Sequence, residues 1–204
     1  MKHKRKKSIP QPSYPVPVLT DWDRKFMAYH EAGHAICSYY LPEREPLICI
    51  TIDPSSEAFG MIRTKSRPHH NETEISFRST IATFLAGRIS EEMFLKSKTT
   101  SCIYDLASAR QIATDMVIKF GMGETLGLTV LDNNEYLQIS EIMKENICKD
   151  IQKILAESES QAREILEKHS RKVKAMVDIL STKGTLYEGD IMNFFTETSR
   201  EQEN

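Results

Sequence analysis

The feature that most restricts how this chain can fold is a pair of apolar stripes in its C-terminal third. Ile139, Ile142, Met143, Ile147, Ile151, Ile154 and Leu155 recur at helical spacing, and Ile165, Leu166, Val173, Met176, Val177 and Leu180 answer them further along. Residues three and four apart share one face of a helix, so each stripe needs a partner surface. The pattern predicts antiparallel helices packed on one another rather than a cofactor box. Helical periodicity covers about 73–96, 104–120, 135–168, 170–182 and 188–199. Upstream, Leu47 to Ile52 and Phe59 to Thr64 carry alternating or continuous apolar residues around the turn-rich Asp53-Pro54-Ser55-Ser56, and read as strands. The expected class is mainly α with a small β-sheet, and no internal repeat is present.

Residues 1–19 are basic and then rich in proline (Pro10, Pro12, Pro15, Pro17), which predicts a flexible arm ahead of the fold. The folded part begins at Thr20, where Asp23 three residues on completes a capping box with Asp in place of Glu. The helix it opens runs to about Tyr40, and Pro42 ends it. With 204 residues, 40% of them hydrophobic, the chain can bury one substantial core or a core with a helical annex. No apolar run approaches the roughly 20 residues of a membrane helix, so no integral membrane segment is expected. Cys37, Cys49, Cys102 and Cys148 lack CxxC spacing and follow no secretory signal, which predicts reduced thiols in a cytoplasmic protein. The arm supplies five of the 27 basic residues, leaving 22 against 29 acidic ones, an unsuitable balance for binding nucleic acid.

The segment His30-Glu31-Ala32-Gly33-His34 carries the chemistry. In a helix, positions i and i+4 stand one turn apart on one face, so both imidazoles can reach a single metal ion. Glu31 projects beside them, near enough to serve as general base to a water activated by the metal without binding the metal itself. This is the HExxH arrangement of zinc peptidases. Gly33 costs about 1 kcal/mol relative to alanine in a helix interior and so needs a reason. With Ala32 and Ala35 it forms a small-residue face that lets a strand, or the helix carrying the third ligand, approach closely. The continuation Ala35-Ile36-Cys37 excludes the metzincin pattern. A third protein ligand is required, and Glu91, Glu92 and Asp105 are the candidates on apolar helices.

Met27-Ala28-Tyr29-His30-Glu31-Ala32-Gly33-His34-Ala35 resembles the protease-domain motif of the FtsH family of ATP-dependent zinc proteases. The likeness continues through Leu41-Pro42-Glu43, Ile50-Thr51-Ile52-Asp53-Pro54 and Phe59-Gly60-Met61, similar to that family's strand pair. Leu85-Ala86-Gly87-Arg88-Ile89-Ser90-Glu91-Glu92 is similar to its Gly-Arg-Ala-Ala-Glu-Glu helix. Tyr104-Asp105-Leu106, Ala113, Met116, Val117 and Phe120-Gly121-Met122 are similar to its Asn-Asp-Ile helix. The resemblance covers about residues 22–195. It implies an FtsH-type zinc peptidase domain over 20–204, with a catalytic part at 20–132 and a C-terminal helical subdomain at 133–204. It further implies one zinc ion per chain held by His30, His34 and Asp105, Glu31 as general base, and Glu91 or Glu92 orienting a ligating histidine. A six-fold homo-oligomer acting on polypeptide is implied as well.

Two departures stand out. Ser101-Cys102-Ile103-Tyr104 replaces the family's small-residue run before the aspartate, and the loop around His69-His70-Asn71 is shorter. Both lie near the expected substrate channel. Phe59, Gly60, Met61 and Ile62 form a strand whose edge can pair with an extended substrate through main-chain hydrogen bonds. No GxxxxGK[ST] phosphate loop occurs in the sequence. The expectation is thus a free-standing zinc endopeptidase acting on unfolded or flexible polypeptides, ATP-independent by itself or served by an unfoldase or adaptor in trans. The alternative is a catalytically idle scaffold or regulatory subunit of a larger assembly.

Overall fold

The computed structural model describes residues 19–43, 45–53, 60–65 and 71–200. The N-terminal arm to Val18, the turn at Pro54-Ser55-Ser56, Phe59 and the His69-His70 pair lie outside the described residues.

Helix α1 (Asp21–Tyr40) opens on the expected capping box: the Thr20 hydroxyl accepts from the Asp23 amide, and the Asp23 carboxylate accepts from the Thr20 amide. It stops at Leu41, whose extended backbone is what a residue before proline prefers. From Ala28 to Cys37 this helix is buried nearly all round, with Ala28, Ala32, Ala35, Ile36 and Cys37 fully enclosed. A helix this deep must place its polar groups against partners. His30, Glu31 and His34 are the polar groups concerned.

Strands β1 (Leu47–Thr51) and β2 (Met61–Thr64) pair antiparallel, with an irregularity between Leu47 and Cys49. Helix α2 (Glu74–Ser90), capped by Thr73, continues into a π-helical turn over Glu91–Leu95. A 3-10 turn, Thr100–Cys102, leads into α3 (Ile103–Ile118). Then come α4 (Asn133–Gln138), α5 (Glu141–Lys168), α6 (Ser170–Lys183), strand β3 (Thr185–Tyr187) and α7 (Glu188–Arg200). The sheet order is β2-β1-β3, so β1 is central and β2 is an edge. The class expected from the sequence is the class found.

Several elements differ from the sequence reading. The third strand carries too few residues for a period to register; it follows Gly184, whose φ of 75° turns the chain out of α6. The helix expected over 135–168 is two, because Ile139 is extended and the Ser140 hydroxyl caps a fresh start at α5. The two stripes do not chiefly pack on each other. Helix α5 lies along α2 and α3, α6 lies along α1, and α5 and α6 touch only slightly. Periodicity reports that a face is buried, not against what. Ile142 at 72% exposure drops out of the stripe, since it sits on the outer side of the first turn of α5.

Candidate metal centre

Two adjacent turns of α1 bring the His30 and His34 rings edge to face, 4.5 Å between centroids. The outer nitrogen of each ring is committed. His34 Nδ1–H donates to the backbone carbonyl of Thr83 on α2 at 2.7 Å. His30 Nδ1–H donates to Glu91 Oε1 at 2.7 Å. With both protons placed there, each Nε2 presents a lone pair, and the two are 3.0 Å apart.

Asp105, in the first turn of α3, completes the set. Its Oδ2 lies 3.1 Å from His30 Nε2 and 3.5 Å from His34 Nε2. Three donors bound to one zinc at about 2.0–2.1 Å in tetrahedral geometry would be separated by roughly 3.3 Å. The observed 3.0, 3.1 and 3.5 Å bracket that value. Two lone pairs and a carboxylate so close repel unless a cation lies among them, so the donor set fits a zinc ion. Among the described residues these three form the cluster of potential ligands.

The electrostatics agree. Burial would push the His30 imidazolium down, but hydrogen bonds to Asp105 and Glu91 and the charge of Glu31 carry its pKa up to about 10. Burial also works to raise Asp105, yet hydrogen bonds with His30 and His34 hold it well below the carboxylate range. Both shifts mean that the site favours positive charge at its centre. Glu31 goes the other way: burial raises its pKa against the pull of His34 and His30. A carboxylate so raised is better matched to proton transfer near neutral pH.

The residues singled out in the sequence are not all brought together. Glu91, fully buried, meets His30. Glu92, the next residue round the π turn, points outward to Lys98 at 3.0 Å and Arg163 at 3.7 Å. Cys102 is buried, donates to the Thr99 carbonyl and is not in the ligand cluster. Gly60 abuts the Glu31 carboxylate: a Cβ there would stand 2.5 Å from Oε1. Met61 and Ile62 follow in β2, whereas Phe59 lies outside the described residues.

Gly33 has its reason in α2. A Cβ on it would meet the Ala86 carbonyl oxygen and Ser90 Cβ, each at 2.6 Å. The helix that approaches is the one leading to Glu91, not the one carrying Asp105. The Ser90 hydroxyl fastens the contact by donating to the Tyr29 carbonyl at 2.7 Å.

Sequence reasoning missed Gly87, where a Cβ would stand 2.5 Å from His34 Nε2 and 2.7 Å from His30 Cε1. Its signal was available, since a glycine inside a helical pattern costs as much there as at position 33. It also missed Thr99 and Ser101, which surround Glu91 from a short turn with no periodicity to read.

The family model described as "Peptidase family M41" matches residues 17–194. Similar proteins include the ATP-dependent zinc metalloprotease FtsH of Cupriavidus metallidurans, 32% identical over 175 residues, 80% of this chain and 27% of that protein. The FtsH of Marinobacter nauticus is 32% identical over 196 residues, 90% of this chain and 31% of its own length. The ATP-dependent zinc metalloprotease YME1L of Drosophila melanogaster is 34% identical over 180 residues, covering 84% and 24%. The chain spans about a quarter to a third of the length of these relatives.

Proposed function

The chain belongs to peptidase family M41, and from that premise we propose that it is a zinc-dependent endopeptidase with His30, His34 and Asp105 as metal ligands and Glu31 as general base. The observation that carries this reading is the convergence of three potential ligand atoms, two imidazole nitrogens and a carboxylate oxygen, 3.0–3.5 Å apart, beside a buried carboxylate of raised pKa. Zinc held there supplies a Lewis acid that acidifies water and polarises a peptide carbonyl. The chain's own groups do the rest. Glu31 accepts the proton of water at its carboxylate and delivers it to the leaving amide nitrogen. Glu91 and the Thr83 carbonyl keep both Nε2 atoms aimed inward by holding the Nδ1 protons.

The position of β2 at the edge of the sheet, among the described residues, supports a binding mode. Gly60 lies against Glu31, and Met61 and Ile62 continue along a strand paired only through β1 among the described residues. An extended polypeptide added to that edge would run past the site through main-chain hydrogen bonds, a mode tolerant of sequence. Phe59 is assigned to the same edge from the sequence alone. We extend the reading to flexible or unfolded polypeptides cut without ATP in this stretch of chain, because no phosphate-loop motif occurs in it. A six-fold homo-oligomer, an unfoldase or adaptor in trans and a cytoplasmic setting belong to the same proposal; no described helix is long and apolar enough to cross a membrane.

The deciding experiment measures bound zinc and ATP-free cleavage of casein by the wild type and Glu31→Gln. One zinc per chain in both, with cleavage reduced roughly 10²- to 10⁴-fold in the variant, is the expected result. Zinc bound with no cleavage by the wild type would replace this reading with the idle scaffold.

A further inference from the structure

The Glu91 carboxylate does more than meet His30. Its Oε2 accepts the Thr99 backbone amide at 2.7 Å. Its Oε1, already taking the His30 Nδ1 proton, lies 3.1 Å from Thr99 Oγ1 and 3.0 Å from Ser101 Oγ. The two hydroxyls are themselves 2.6 Å apart. Each owns one proton, so the three short contacts cannot all be bonds at once. The arrangement that places both protons without a repulsive contact is a relay, in which one hydroxyl donates to Glu91 and the other donates to the first. The 3-10 turn Thr100–Cys102 follows Thr99 directly, and α3 presents Asp105 three residues after that turn ends. One buried carboxylate therefore joins the α1 ligand His30 to the segment that launches the α3 ligand Asp105.

We propose that Thr99 and Ser101 are positioning residues for the metal, acting through Glu91 to fix both the His30 donor nitrogen and the start of the helix carrying Asp105. The inference rests on the peptidase reading for the identity of the ligands, but it concerns metal affinity and not cleavage. Ser101 falls in the run Ser101-Cys102-Ile103-Tyr104, where this chain departs from the FtsH pattern. Ser101 is exposed, and its loss creates no cavity.

The test is zinc affinity by competition with a chelator, with the visible spectrum of the cobalt-substituted protein and the melting temperature of the metal-free protein measured alongside. The variants are Thr99→Val, Ser101→Ala, their combination, and Ser101→Thr. Thr99→Val retains the backbone amide bond and Ser101→Thr retains the hydroxyl. The double variant is expected to bind zinc about 10-fold more weakly, at the low end for partners outside the ligand set. Its cobalt spectrum should shift and its metal-free melting temperature stay put, with Ser101→Thr close to wild type. Zinc affinity within twofold of wild type in the double variant overturns the proposal while leaving the peptidase reading intact. So does a fall in metal-free melting temperature without a loss of affinity, which would make the hydroxyls structural. A wild type that binds no zinc overturns both.

Discussion

At the scale of single residues, the centre is defined by where protons sit. His30 and His34 face inward as acceptors because Glu91 and a main-chain carbonyl take their other protons. This ranks the carboxylates near the motif. Asp105→Asn should weaken zinc binding by more than about 100-fold, since it alters one of the three proposed ligands. Glu91→Gln should weaken it by about 10- to 100-fold, because it alters only a ligand's partner. Glu92→Gln should leave it unchanged, its side chain being spent on Lys98 and Arg163 at the surface. Chelator competition on the three variants checks the order, and a larger loss in Glu91→Gln than in Asp105→Asn would transfer the ligand assignment to Glu91.

At the scale of elements, the close approach of α1 and α2 holds the site together. Gly33 permits it, Ser90 fastens it, and Gly87 leaves room for the imidazoles. Gly33→Ala isolates this effect because two terms oppose. Alanine gains about 1 kcal/mol of helix propensity. The new methyl, however, would stand 2.6 Å from the Ala86 carbonyl oxygen, a backbone atom that cannot swing aside. Overpacking of this kind costs about 1–3 kcal/mol. The net expectation is a loss of stability in urea unfolding, together with weaker zinc binding as α2 shifts Glu91 and Thr83 away from the histidines. A gain in stability with full zinc affinity would show that the helices part without consequence.

At the scale of the whole molecule, the junction of α5 and α6 is joined to the end of α1 through an aromatic contact whose histidine titrates. His169, between α5 and α6, stacks on Tyr40 at the end of α1, 3.6 Å between centroids and 3° from parallel. Lys172 donates to the Tyr40 hydroxyl at 2.7 Å. Burial, then Lys172 and Lys168, lower the His169 pKa. The folded state therefore resists a proton that the unfolded chain accepts below about pH 6.5. Stability from this group is complete above that pH and declines as pH falls through it toward the lower folded value. Between pH 7 and pH 5 the metal-free wild type should lose more stability in urea than His169→Phe, which keeps the stack without titrating. Equal losses would remove His169 as the source.

The sequence by itself determined the class, the start and end of α1, and the pairing of His30 with His34, because capping, proline and i, i+4 spacing act within a few residues. Apolar helical context left Asp105, Glu91 and Glu92 as candidates and the resemblance selected Asp105; the fold then sets Asp105 beside both histidines, Glu91 on His30 alone and Glu92 at the surface. Only the tertiary structure decided that the stripe on α5 faces α2 and α3, that β3 completes the sheet, and that Thr99 and Ser101 close around Glu91. Each of those depends on which distant segments meet, and periodicity reports that a surface is buried without recording what lies on its other side.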